Sequence, residues 1–143
     1  MQMVLKWTSV LIVAAAIGVL IKPDLVPAIG LSGDDTARIN NAFKNHTSNI
    51  VVEAPAQVSR LMPDLVDVEK HQVFFVELES GQRIKVMHNL DEAPPVPVVV
   101  GSNIRLRGEY DWTPEGGVIH WTHHDPKGQR EGGWIEYQDH IYR

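Results

Sequence analysis

The chain has 143 residues, a formal net charge of −5 and no cysteine. A length of this order fits one domain, and the missing thiols exclude a disulfide framework, a thiol nucleophile, a lipid anchor through an N-terminal Cys and any thiolate-held zinc. The acidic balance argues against a dedicated nucleic-acid binder, whose affinity comes largely from neutralising phosphates, although a net value can hide a local basic face.

Met1 to Lys6 carry one Lys, Trp7 to Ile21 form an uncharged and almost wholly apolar run, and Lys22-Pro23-Asp24 close it. A short positive region followed by such a stretch has the form of a secretory signal peptide. It is short for a spanning helix, which takes about 20 apolar residues. Val26-Pro27-Ala28 and the segment up to Gly33 match a cleavage site only in part. Residues 1–30 are therefore expected to be a signal peptide or a retained N-terminal membrane anchor. Either places the domain outside the cytoplasmic membrane, periplasmic or extracellular, touching the bilayer only through this segment.

Residues 31–49 read as a short helix and linker. Asp34 and Asp35 suit a helix start, Ile39, Ala42 and Phe43 supply the i, i+3, i+4 stripe, and Asn45 to Asn49 end it. The apolar period then changes from helical to alternating, and residues 50–143 read as a β-rich domain. Ile50 to Leu61 is a first strand, broken by Met62-Pro63-Asp64. Gln72 to Leu78 is a second, with Phe74, Val76 and Leu78 on one face. Glu79 to Gln82 form a hairpin loop, and Arg83 to His88 follow as a third strand, with Ile84, Val86 and His88 on one face. Asn89 to Pro97 carries prolines at 94, 95 and 97, which bar a strand or helix interior. Asn103 to Trp112 alternates as a fourth strand. Thr113 to Gly117 is a turn cluster, and Val118 to His124 is a fifth strand. Asp125 to Gly133 is a polar loop, and Trp134 to Tyr142 adds a short terminal strand. Five strands in this order, with the longest connection between the third and fourth, match the OB plan, a five-stranded antiparallel Greek-key barrel. A proline-rich linker stands where many such barrels place a helix, and a small antiparallel sandwich is the alternative.

His88 to Pro94 (HNLDEAP), Gly108 to Trp112 (GEYDW), Gly116 to Pro126 (GGVIHWTHHDP) and Gly132 to Ile135 (GGWI) carry a likeness. Through these blocks the stretch from His71 to the end resembles DUF3465, a bacterial family of small exported proteins described as a domain of unknown function. The resemblance implies an envelope protein of this size and adds no mechanism.

His120, His123, His124 and Asp125 lie within six residues, with His88 and Asp91 at the end of the third strand. Imidazole and carboxylate are the natural ligands of zinc, nickel or copper where no thiolate exists. Strand alternation points His120 and His124 one way and His123 the other. A site thus needs a second element, and the candidate ligands are His88, Asp91, His120, His124 and Asp125, with a divalent transition metal such as zinc as cofactor. The plainer alternative is that these histidines hydrogen-bond loop carbonyls at strand ends. His120 could also act as a base oriented by Glu109 or Asp125. However, the chain has no Gly-x-Ser-x-Gly, no His-Glu-x-x-His and no phosphate loop, which favours binding over catalysis.

A second constellation follows from strand parity. With Ile84, Val86, Ile104, Leu106, Ile119 and Trp121 inward, Arg83, Lys85, Arg105, Arg107, His120, Thr122 and His124 point outward. The OB order sets the fifth strand between the third and fourth, making one face with Trp134 near it. Such a face suits an anionic polymer, a glycan or acidic head groups more than nucleic acid. Its alternative is a solvated exterior balanced by Glu77, Glu109 and Asp111. Trp112, Trp121, Trp134 and Tyr110 are expected to serve packing rather than stacking of a ligand. The functional expectation is an exported, non-enzymatic binding module for an anionic ligand, with a metal-binding protein or metal-dependent hydrolase as the alternative.

Overall fold

The computed structural model describes residues 33–143, so the expected signal peptide or anchor lies outside the described residues. Helix α1 spans Thr36–Lys44 and buries Ile39 and Ala42. Its start is fastened to the first strand. The Asp34 carboxylate accepts the Thr36 N–H at 3.0 Å. Asp35 exchanges backbone and side-chain bonds with Glu53 at 2.8 and 2.9 Å. Among the described residues no helix is long and apolar enough to cross a membrane.

The strands are β1 (Ile50–Leu61), β2 (Leu65–Val66), β3 (Lys70–Glu77), β4 (Arg83–Asn89), β5 (Asn103–Asp111), β6 (Val118–His120), β7 (Trp134–Tyr137) and β8 (His140–Tyr142). The path β1-β3-β4-β6-β5 returns to β1 and closes a barrel. β1 makes the closure possible. Its residues Ile50 to Gln57 pair with β5, and Gln57 to Leu61 pair with β3, with a register shift between Val58 and Arg60. A bulge of this kind bends a strand enough to serve two neighbours. β6 lies between β4 and β5, parallel to the first and antiparallel to the second. This is the order expected of an OB barrel.

Alternation supplies the core. Val52, Ala54, Val58, Phe74, Val76, Ile84, Val86, Ile104, Leu106, Tyr110 and Ile119 are all buried inward residues. Removing so much apolar surface from water is the main favourable term in folding. α1 lies at the hairpin end, where Ser80 donates to Asn40 at 3.0 Å. The proline-rich linker closes the other end. Val96 and Val98 join the core, and the Gln72 side chain exchanges two hydrogen bonds with the Val96 backbone at 2.7 and 2.9 Å. Pro residues cannot extend the sheet, but a chain without its own ladder can plug a barrel if buried side chains meet its polar groups.

His88 does this at the same end. It is fully buried, and its Nε2–H donates to the Pro94 carbonyl at 2.9 Å. The Thr122 hydroxyl donates to Nδ1 at 2.7 Å. The carbonyl can only accept, which sets the tautomer. Both ring nitrogens are engaged, so His88 is a neutral seam between β4, the linker and the segment after β6.

Three elements differ from the sequence expectation. β2 is an unforeseen short pairing with β3 at Leu65↔His71 and Val66↔Lys70. The terminal strand is a hairpin, β7–β8, turned by Gln138 and Asp139 with φ of 50° and 61°, the two-residue turn that matches strand twist. β6 stops at His120 because Trp121 adopts φ 60°, a left-handed conformation that breaks the pleat. The outward parity assigned to Thr122 and His124 therefore does not apply, and Thr122 is buried.

Burial, above all, lowers the His88 pKa below its ordinary value of 6.5. The unfolded chain then takes up the proton first, so this contribution to stability is present above about pH 6.5 and is lost as pH falls through the folded value. Thermal unfolding of the wild type is expected to weaken between about pH 7.5 and about pH 5. His88→Gln should be less stable at the higher pH but show a shallower pH slope. Parallel slopes would exclude His88 as the titrating group.

Candidate functional site

The pairing of β5 with β6 sets Glu109 opposite His120 and Asp111 opposite Val118. Outward residues of neighbouring strands meet directly and diagonally, so one imidazole reaches two carboxylates. His120 Nε2 lies 2.7 Å from Asp111 Oδ2 and 3.9 Å from Glu109 Oε1. The three donor atoms all lie within 4.8 Å of one another. Each side chain is only partly exposed, at 36% for His120, 18% for Glu109 and 30% for Asp111, so water screens their charges incompletely. The other Asp111 oxygen accepts the Asn49 N–H at 2.9 Å, and the other Glu109 oxygen faces Arg130 Nη1 at 3.4 Å. Gly108 lets the strands approach, because a Cβ there would run into the His120 carbonyl oxygen.

His120 stands at the rim of a cleft of about 700 Å³, within the range of small-ligand sites. One side carries Glu69, His71, Asn89 and Glu92, and the other the chain from Trp121 to Arg130. That chain is shaped by local chemistry. The Asp125 carboxylate accepts N–H bonds from Lys127, Gln129 and Arg130 at 3.1, 2.8 and 3.0 Å, which hold it below its ordinary pKa, the Lys127 bond foremost. The turn delivers Arg130 onto Trp121, its guanidinium 4.1 Å from the ring centre. His123, nearly buried, donates Nδ1–H to the His124 carbonyl at 2.8 Å and packs beside Trp121.

The five metal candidates read from the sequence are not brought together. His88 is inside the barrel. Asp91 accepts the Lys70 N–H at 3.0 Å, Asp125 holds its turn, and His124 is exposed. His120 alone joins a cluster, and its partners are Glu109 and Asp111. Their shared outward parity along β5 was visible in the alternation. Their register against β6 was not.

The cationic face is also changed. Arg105 lies 2.6 Å from Glu53 and 3.8 Å from Glu136. Arg107 lies 3.8 Å from Glu53 and 3.1 Å from Glu131. The β1–β5 register places Glu53 opposite Arg107, so these arginines are balanced by β1, β7 and the preceding loop rather than by Glu77, Glu109 and Asp111. Arg83 and Lys85 sit toward the hairpin end of β4, away from the cleft. Trp134 pairs across from Arg107, with the Arg105 guanidinium 5.7 Å from its ring centre. Trp112 packs on His46 at 4.1 Å. Both rings are half-buried, and Trp112 also packs against the core.

The family model described as "Protein of unknown function (DUF3465)" matches residues 23–143. No curated protein matches the chain.

The cleft wall depends on a close backbone crossing at Gly133, which donates to the His123 carbonyl at 2.7 Å. A Cβ there would meet the carbonyl oxygens of Trp121 and Arg107. Gly133→Ala is expected to destabilise the fold by about 1–3 kcal/mol, measured by denaturant unfolding, whereas Gly128→Ala, in open space, should cost less despite its φ of 61°.

Proposed function

The chain belongs to the DUF3465 family, and on that premise we propose that it is an exported envelope protein whose barrel is a metal-binding module. It holds a divalent transition-metal ion at Glu109, Asp111 and His120 and presents it to the cleft. The apolar run from Trp7 to Ile21 supports export. The observation that carries the metal reading is the cross-strand convergence of one imidazole and two carboxylates.

Three protein donors with positions left for water or a ligand are the usual form of an open zinc site, and mixed nitrogen and oxygen ligands also suit neighbouring first-row ions. Around an ion at about 2.1 Å, tetrahedral donors stand about 3.4 Å apart. The separations of 2.7 and 3.9 Å bracket that value, and all three donors lie within 4.8 Å of one another. Coordination needs an unprotonated Nε2, so the ion replaces the hydrogen bond between His120 and Asp111. The role is one of binding, because the chain carries no nucleophile or phosphate-loop motif that would name a reaction. An anionic ligand on the Arg105/Arg107 surface would have to displace Glu53. The cleft is the better place for one.

Metal analysis of protein purified without chelator or affinity histidines tests this reading. About one equivalent of zinc or a neighbouring ion is expected in the wild type. It should be lost in His120→Ala and Asp111→Asn with the circular dichroism spectrum unchanged. A wild type that stays metal-free after dialysis against zinc would overturn it.

A further inference from the structure

We infer that the cleft takes an oxyanion, the phosphate or carboxylate group of a small ligand, through Arg130, and that this anion binds cooperatively with the ion at His120. The inference rests on the metal reading above.

The Glu109 carboxylate is the link. One oxygen faces His120 at 3.9 Å and the other faces Arg130 at 3.4 Å. An ion on the first oxygen leaves two positive centres on either side of one carboxylate. Asp111 and Glu109 together only match a divalent charge, so the guanidinium loses its ion-pair partner to the metal and keeps only the longer-range field of Asp125. An oxyanion reaching both the ion and Arg130 relieves this. The geometry suits it: the Arg130 guanidinium sits over Trp121, 4.1 Å from the ring centre, with Nη1 on Glu109, and a guanidinium held over a ring can turn its remaining N–H groups toward the oxygens of a phosphate or carboxylate. Arg130 and His120 line the same cleft.

The competing carboxylates there are largely engaged. Asp125 is held by three backbone N–H groups. Glu69 accepts from the Asn89 amide at 3.3 Å and faces His71 at 3.7 Å. Glu92 lines the same cleft, on the wall opposite Arg130.

Calorimetric titration of the full chain with inorganic phosphate, and separately with acetate, tests the inference with and without one prior equivalent of zinc. Coupling of this kind commonly changes affinity by about 5–150-fold, and zinc is expected to tighten at least one anion by about tenfold. Arg130→Gln should keep its zinc and lose that gain. The anion that responds identifies the ligand group. Zinc uptake with no response to either anion would overturn the inference and leave the metal site standing, as would equal binding with and without zinc. Failure of zinc uptake would overturn the metal reading itself and this inference with it.

Discussion

The barrel closes on three residues. Val118–His120 form the whole of β6, yet this strand must pair with β4 on one side and β5 on the other. Its shortness is imposed by Trp121, whose left-handed backbone ends the ladder. The candidate site is arranged around that stop. The last residue of the strand, His120, is set against Glu109 and Asp111, and the chain released beyond it folds over to make the cleft wall. A longer β6 would have carried Thr122 and His124 outward on the sheet.

A barrel closed so briefly depends on polar seams as well as apolar area. Ile119 alone carries β6 fully into the core, and the segment that follows is fixed by Thr122 on His88 at 2.7 Å. That same imidazole holds the Pro94 carbonyl. One buried side chain thus ties the linker that plugs the barrel to the loop that shapes the cleft. A buried polar group is costly unless all its hydrogen bonds are made, and here both nitrogens are satisfied. The region is specified by geometry rather than by bulk. The same economy governs the outer face, where Glu53 faces both Arg105 and Arg107 and balances their charge.

Much of the fold was legible because period-two alternation maps directly onto burial. Phe74, Val76, Ile84, Val86, Ile104 and Leu106 are inward as the pattern requires, and His88, in step with Ile84 and Val86, is inward with them. The site was legible only in part. His120 stood out by composition, and Glu109 and Asp111 shared a face, but alternation is silent on which residue of one strand lies opposite which residue of the next. The metal set drawn from local spacing failed to converge for a related reason. Asp91 and Asp125 are turn residues whose carboxylates meet backbone N–H groups, a use that Asp near turns commonly finds.

By itself the sequence determined the positions of the long strands β1, β3, β4 and β5, their inward and outward sides, the break at the prolines and the apolar N-terminal run, since these depend on nearest neighbours along the chain. Tertiary structure alone decided the rest: the end of β6 at His120, the partnering of Arg105 and Arg107 with Glu53, and the meeting of His120 with Glu109 and Asp111. Those depend on inter-strand register and on a single backbone dihedral, and neither is written in local composition.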